Sequence, residues 1–129
     1  MADYRLEAKN NQKKEFSSFA SGIVPTSTSV DDFFTLPEAS VVTRASVIVL
    51  KADSTSGATV DVVVAGVTVA DEVKVDAVGV SDGTQANTYF ATGGAATVKP
   101  GSTAPAGDGL MKVFFEYVET ELTEGTYTN

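Results

Sequence analysis

From Val30 to Val118 the chain runs in short apolar–polar alternations broken by turn residues. A period of two places successive side chains on opposite faces of an extended strand, so the pattern predicts β-structure throughout this stretch. Asp32–Leu36 reads as a short strand stopped by Pro37, and Val41–Lys51 as the longest strand. Within it Val47–Leu50 is apolar on both faces, which suits a central strand covered on both sides or one buried at a contact. Asp53–Gly57 is a turn, and Thr59–Val64 reads as the second arm of a hairpin, with Val60, Val62 and Val64 on one face. Gly66–Val80 reads as a crossover between sheets, with one helical turn at Ala70–Lys74 and Val73, Val75, Val78 and Val80 as anchors. Tyr89–Thr92 is a short strand, and Gly93-Gly94 signals a tight hairpin into Ala95–Lys99. A Pro/Gly loop over Pro100–Gly109 then delivers the last strand.

That last strand, Gly109–Val118, is the most informative segment. Met111, Val113, Phe115 and Tyr117 fall on one face and read as core. The opposite face carries Leu110, Lys112, Phe114, Glu116 and Val118. Phe114 and Val118 need cover there, from the chain itself or from another subunit, since apolar area left wet costs roughly 25 cal/mol per Å². Phe33 and Phe34 pose the same question: as strand neighbours they face opposite ways and do not both serve one core.

Residues 1–30 differ. Tyr4–Ala8 alternates briefly, Lys9–Glu15 is polar, Phe16 and Phe19 stand three apart, and Gly22–Ser29 reads as a connection around Pro25. Leu6–Phe19 has helix propensity, but the pattern favours an extended arm with a strand at one end; an ordinary first strand of the sandwich is the rival reading. The expected architecture is all-β: a single β-sandwich or jelly-roll-like domain over 31–119, an N-terminal arm and connection over 1–30, and an acidic C-terminal tail over 120–129.

Composition narrows the chemistry. The 129 residues suffice for one domain, and a 43% apolar content is that of a globular chain. There is no Cys, His or Trp, which removes disulfides, thiolate chemistry, imidazole bases and imidazole metal ligands. The net charge of -8 argues against nucleic-acid binding. Residues 1–15 oppose that trend: Arg5, Lys9, Lys13 and Lys14 against Asp3, Glu7 and Glu15 give a net +1. A near-neutral arm on an acidic body can approach an acidic neighbour. No apolar signal segment and no run of about 20 apolar residues is present, so synthesis in a cytoplasm and no membrane partner are expected.

The acidic doublets Asp31-Asp32 and Asp71-Glu72 match neither an opposed glycosidase pair nor a calcium loop, and read as solvated turn residues. No phosphate-loop motif and no Ser-x-x-Lys occurs. The expectation is therefore a non-enzymatic protein with no cofactor and no metal. Its contacts with other protein are expected at Arg5, Leu6, Lys9, Lys13, Lys14, Phe16, Phe19, Phe34, Phe114 and Val118.

Leu36–Leu50, Gly66–Gly79, Tyr89–Gly94 and Gly109–Glu119 together resemble small β-rich virion proteins of tailed bacteriophages. Within such phages the chain is most similar to capsid decoration, or cement, proteins. The resemblance implies binding to the major capsid protein, a homo-oligomer (a trimer, from the symmetry of capsid sites), and a place on the capsid surface of the virion. The other role it allows is a receptor- or carbohydrate-binding module of a head fibre or tail, with Tyr89, Phe90 or Tyr127 as its aromatic platform.

Overall fold

A computed structural model describes residues 16–26 and 30–120, with the side chains of residues 16 and 30–32 outside that description. The described chain is all-β and forms two antiparallel sheets. The first sheet sets β1 (Phe16–Ala20) and β2 (Val24–Pro25) on one side of β11 (Leu110–Glu119). On the other side of β11 runs β4 (Ser40–Lys51), edged by β7 (Gly79–Ser81) and β9 (Thr88–Phe90). The second sheet runs β3 (Val30–Leu36), β10 (Gly94–Pro100), β5 (Thr59–Val64), β6 (Val67–Lys74) and β8 (Thr84–Gln85). From β3 onward every connection except the β5–β6 hairpin crosses from one sheet to the other. With the first and last strands paired, this wrapping is that of a jelly roll.

The core lies between the sheets. Met111, Val113, Phe115 and Tyr117 of β11 point into it as their alternation predicts, beside Val42, Ala45, Val47 and Val49 of β4. Val60, Val62, Val64, Val69, Val73, Ala96 and Val98 come from the second sheet. These β-branched side chains suit a pleated, one-sided surface.

Three connections depart from the sequence expectations. β4 and β5 do not form a hairpin: Asp53–Gly57 carries the chain from the first sheet to the second. β6 holds no helical turn, and the expected crossing to the first sheet comes only after it, on the way to β7. β6 itself returns along β5 through Ala65-Gly66, whose φ values of 49° and 82° make a two-residue turn of the primed type. Gly93-Gly94 is likewise a sheet-to-sheet passage rather than a hairpin, since β9 pairs with β4 and β10 with β3 and β5. Gly93 has φ +70°, and a Cβ there would collide with the backbone of Leu36 and Pro37.

Bulges reset which side chains face the core. Five residues of β3, from Val30 to Phe34, span what three residues of β10 cover, from Val98 to Ala96. That slippage breaks the period of two, so Phe33 and Phe34 both pack against the core. This corrects the expectation that they could not share it. The Phe34 ring stacks on Phe19 at 4.1 Å and on Phe115 at 5.5 Å, and Phe33 lies 6.1 Å from Phe115. The aromatics close the side of the sandwich where β1 and β3 are edge strands.

Residues 16–25, which the pattern assigns to an arm and connection, run along β11 as an edge strand interrupted at Ser21–Ile23. The interruption is pinned, not loose. Ser21 N–H donates to the Val113 carbonyl and Val113 N–H donates to Ser21 Oγ, each at 2.9 Å. Residues 1–15 and 121–129, with Arg5, Leu6, Lys9, Lys13, Lys14 and Tyr127, lie outside the described residues.

Candidate functional site

The outer face of the first sheet is built from strand register. Directly paired residues share a face, so β11 and its neighbours lay down rows across the sheet. Val118 stands beside Val41, which pairs with Tyr89. Glu116 stands between Ser18 and Arg44, and Phe114 between Ala20 and Ser46. Lys112 faces Ile48, which pairs with Val80; Leu110 lies between Pro25 and Lys51. Phe114 and Val118 are half-buried in their rows.

The Glu116 row is polar and recessed. Ser17, Ser18, Thr43 and Glu116 line a hollow of about 310 Å³. Its floor is shaped by a bulge at Thr43, whose hydroxyl donates to the Glu116 carbonyl at 3.1 Å. Arg44 turns aside to pair with Asp82 at 3.0 Å, an exposed contact worth at most about 1 kcal/mol.

Beyond Phe114 the face becomes apolar. The large hydrophobics exposed among the described residues are Ile23, Leu50, Val67, Val78, Val80, Tyr89 and Leu110. Leu110, Val80 and Ile23 lie on this face or its rim, Leu50 follows Val49 at the bulge that brings Lys51 opposite Leu110, and Val78 directly precedes β7. Their exposures run from 41% for Leu110 to 69% for Val78. Several exposed hydrophobics at one end of a sheet face make it a candidate contact surface. Of its members the pattern of the last strand flags only Leu110. Val78 and Val80, expected as anchors, are instead exposed, because β7 runs at the edge of the first sheet; Leu50 ends the Val47–Leu50 run that reads as central or buried at a contact.

The remaining predicted contact residues are placed as follows. Phe16 is known as a backbone position opposite Val118. Phe19 and Phe34 are half-buried against one another and the core. The aromatic platform does not assemble from Tyr89 and Phe90: Tyr89 is exposed, whereas Phe90 is 6% exposed and belongs to the core.

Two carboxylate groups have definite structural work. Asp53 is buried, and burial opposes its ionisation. Hydrogen bonds from Thr26 Oγ1 and from the N–H groups of Thr55, Ala106 and Gly107, at 2.7–2.9 Å, outweigh that and hold its carboxyl far below the usual carboxylate range. Thr26 Oγ1 in turn accepts from Gly109 N–H at 2.9 Å. The clasp ties the β4–β5 passage to the loop that launches β11. On the second sheet the structure brings Asp61 to Asp71 and Glu72, with carboxylate oxygens within 4.8 Å of one another. Glu72 accepts from Ser102 Oγ, Ser102 N–H and Thr59 Oγ1, and the hydroxyl bonds lower its pKa. Burial and the neighbouring carboxylates raise that of Asp61. The arrangement fastens a bulge: Glu72, at φ 55°, donates its N–H to Asp61 Oδ1 at 2.9 Å. The side chains of Asp31 and Asp32 lie outside the described residues.

No protein-family model and no curated protein matches the chain. Among solved structures it is similar to a chain of "Cyanophage Pam1 capsid asymmetric unit", with a TM-score of 0.52 and 16% sequence identity. The match covers 80% of this chain and 81% of that one, so the two are of nearly equal length. At that identity the likeness is one of fold.

Proposed function

We propose that this chain is a structural protein of a tailed-phage virion that binds the assembled capsid from outside as a decoration, or cement, protein. In this reading its partners are the major capsid protein and further copies of itself, grouped as a trimer, and it catalyses no reaction. The observation that carries the reading is the jelly roll shared, over about four-fifths of both chains, with a similarly short chain of a phage capsid unit. The apolar outer face of the first sheet supports it, because a protein that works by packing needs such a surface. A glycan-binding role has less support, since Phe90 is core and Tyr89 stands alone among the described platform candidates.

Quantitative mass spectrometry of purified virions tests the proposal. Copies in proportion to the capsid lattice are expected; a handful per particle would move the protein to the tail. The basic arm is proposed to contact capsid or a neighbouring subunit. Because β1 belongs to the sheet, the truncation that isolates the arm must stop before Phe16. Removing residues 1–15 is expected to abolish incorporation while leaving the sandwich folded, and unchanged occupancy would remove the arm from the account.

A further inference from the structure

We infer that the apolar end of the first sheet's outer face, around Lys112, is the seat for the capsid: a protein surface apolar at its centre and rich in carboxylates around it. This rests on the capsid-binding role proposed above and names the surface that performs it.

The charge of the face singles out the partner. In the rows from Leu110 to Phe114, together with their register partners on β1, β2, β4 and β7, the charged side chains are Lys51 and Lys112. Residues 16–129 as a whole carry -9. A locally cationic, apolar patch on a strongly acidic molecule is complementary to an acidic surface and steers toward one. The same patch on a second copy fits poorly. A two-fold pairing would bring Lys51 and Lys112 of both chains into one desolvated contact, with no carboxylate in those rows to offset them. The chain's own arm fits poorly too. Its cations Arg5, Lys9, Lys13 and Lys14 would meet lysines, and it joins the sheet at Phe16, opposite Val118, at the far end of β11 from Leu110.

The test uses the full chain and capsids assembled without it, in co-sedimentation at low and high salt, with Val80→Asp and Lys112→Glu as variants. Val80 is 62% exposed on a short edge strand, and Lys112 can be reversed without touching the core. Wild type should bind saturably and more weakly in salt, and each variant should lose affinity by at least about tenfold. Both should keep the wild-type melting temperature and oligomeric state. Wild-type binding that both variants retain would overturn this assignment and leave the capsid role standing. A drop in oligomeric state in the variants would give the face to a second copy, and tighter binding after deletion of residues 1–15 would give it to the arm; either result overturns the inference. Wild type that fails to bind would overturn the capsid role itself.

Discussion

Asp53 and Gln85 show how single polar side chains hold this fold. The Gln85 amide donates to the Ala45 carbonyl at 2.7 Å and accepts from Ala45 N–H at 2.8 Å. It fills the gap in the β4 ladder between β7 and β9 while its own strand belongs to the other sheet. Gln85→Ala strands both backbone groups of a fully buried residue, and a loss of about 2–4 kcal/mol is expected in urea denaturation. Asp53→Asn keeps the shape of the clasp but loses its charge-assisted bonds, at a cost of about 1–3 kcal/mol near neutral pH. The acid behaviour follows from the sign of the shift. Asp53 titrates lower in the folded protein than in the unfolded chain, whose carboxyl lies near 3.9. Its stabilisation is therefore complete above that value and is lost as pH falls from there toward the folded pKa. Stability measured from pH 6 down to pH 2 should decline less steeply in Asp53→Asn than in wild type; parallel profiles would contradict the clasp. At the stacked aromatics, Phe34→Ala should cost about 3 kcal/mol or more, through lost burial and lost contact with Phe19 and Phe115.

At the scale of elements, β11 was the most legible. Its inward row is core as its alternation predicts, because a strand paired on both sides with a buried face obeys the period of two. Pairing partners were not legible. A Gly/Ser turn signal is the same whether the chain folds back beside itself or passes to the opposite sheet, so Asp53–Gly57 and Gly93-Gly94 read as hairpins and are crossings. The real β5–β6 hairpin turns at Ala65-Gly66, which lacks the Asn-Gly or Asp-Gly signature. Bulges hid the rest. Inserted residues are invisible in a binary pattern, yet those in β3 turn Phe33 and Phe34 toward one core and the one at Thr43 precedes Arg44, which points at Asp82. Phe114 belongs to the outer face, half-buried beside Ala20 and Ser46. Phe114→Asp should accordingly leave a cooperatively folding domain, destabilised by about 1–2 kcal/mol, with near-native circular dichroism. Loss of folding would place that ring in the core.

For the whole molecule, the all-β class and a single sandwich follow from strand lengths and turn spacing. The candidate contact surface does not, because Leu110 and Val80 come onto one face only when β7 is laid against β4 and β4 against β11. The proposed seating on a capsid rests on the apolar, cationic end of the first sheet's outer face, set on an otherwise acidic body. The most direct test is an electron cryomicroscopy map of the intact virion. The account predicts density for this sandwich at repeated sites over the outer capsid, with the first sheet and Lys112 turned toward the shell. Density confined to the tail, or its absence from the head, would contradict it.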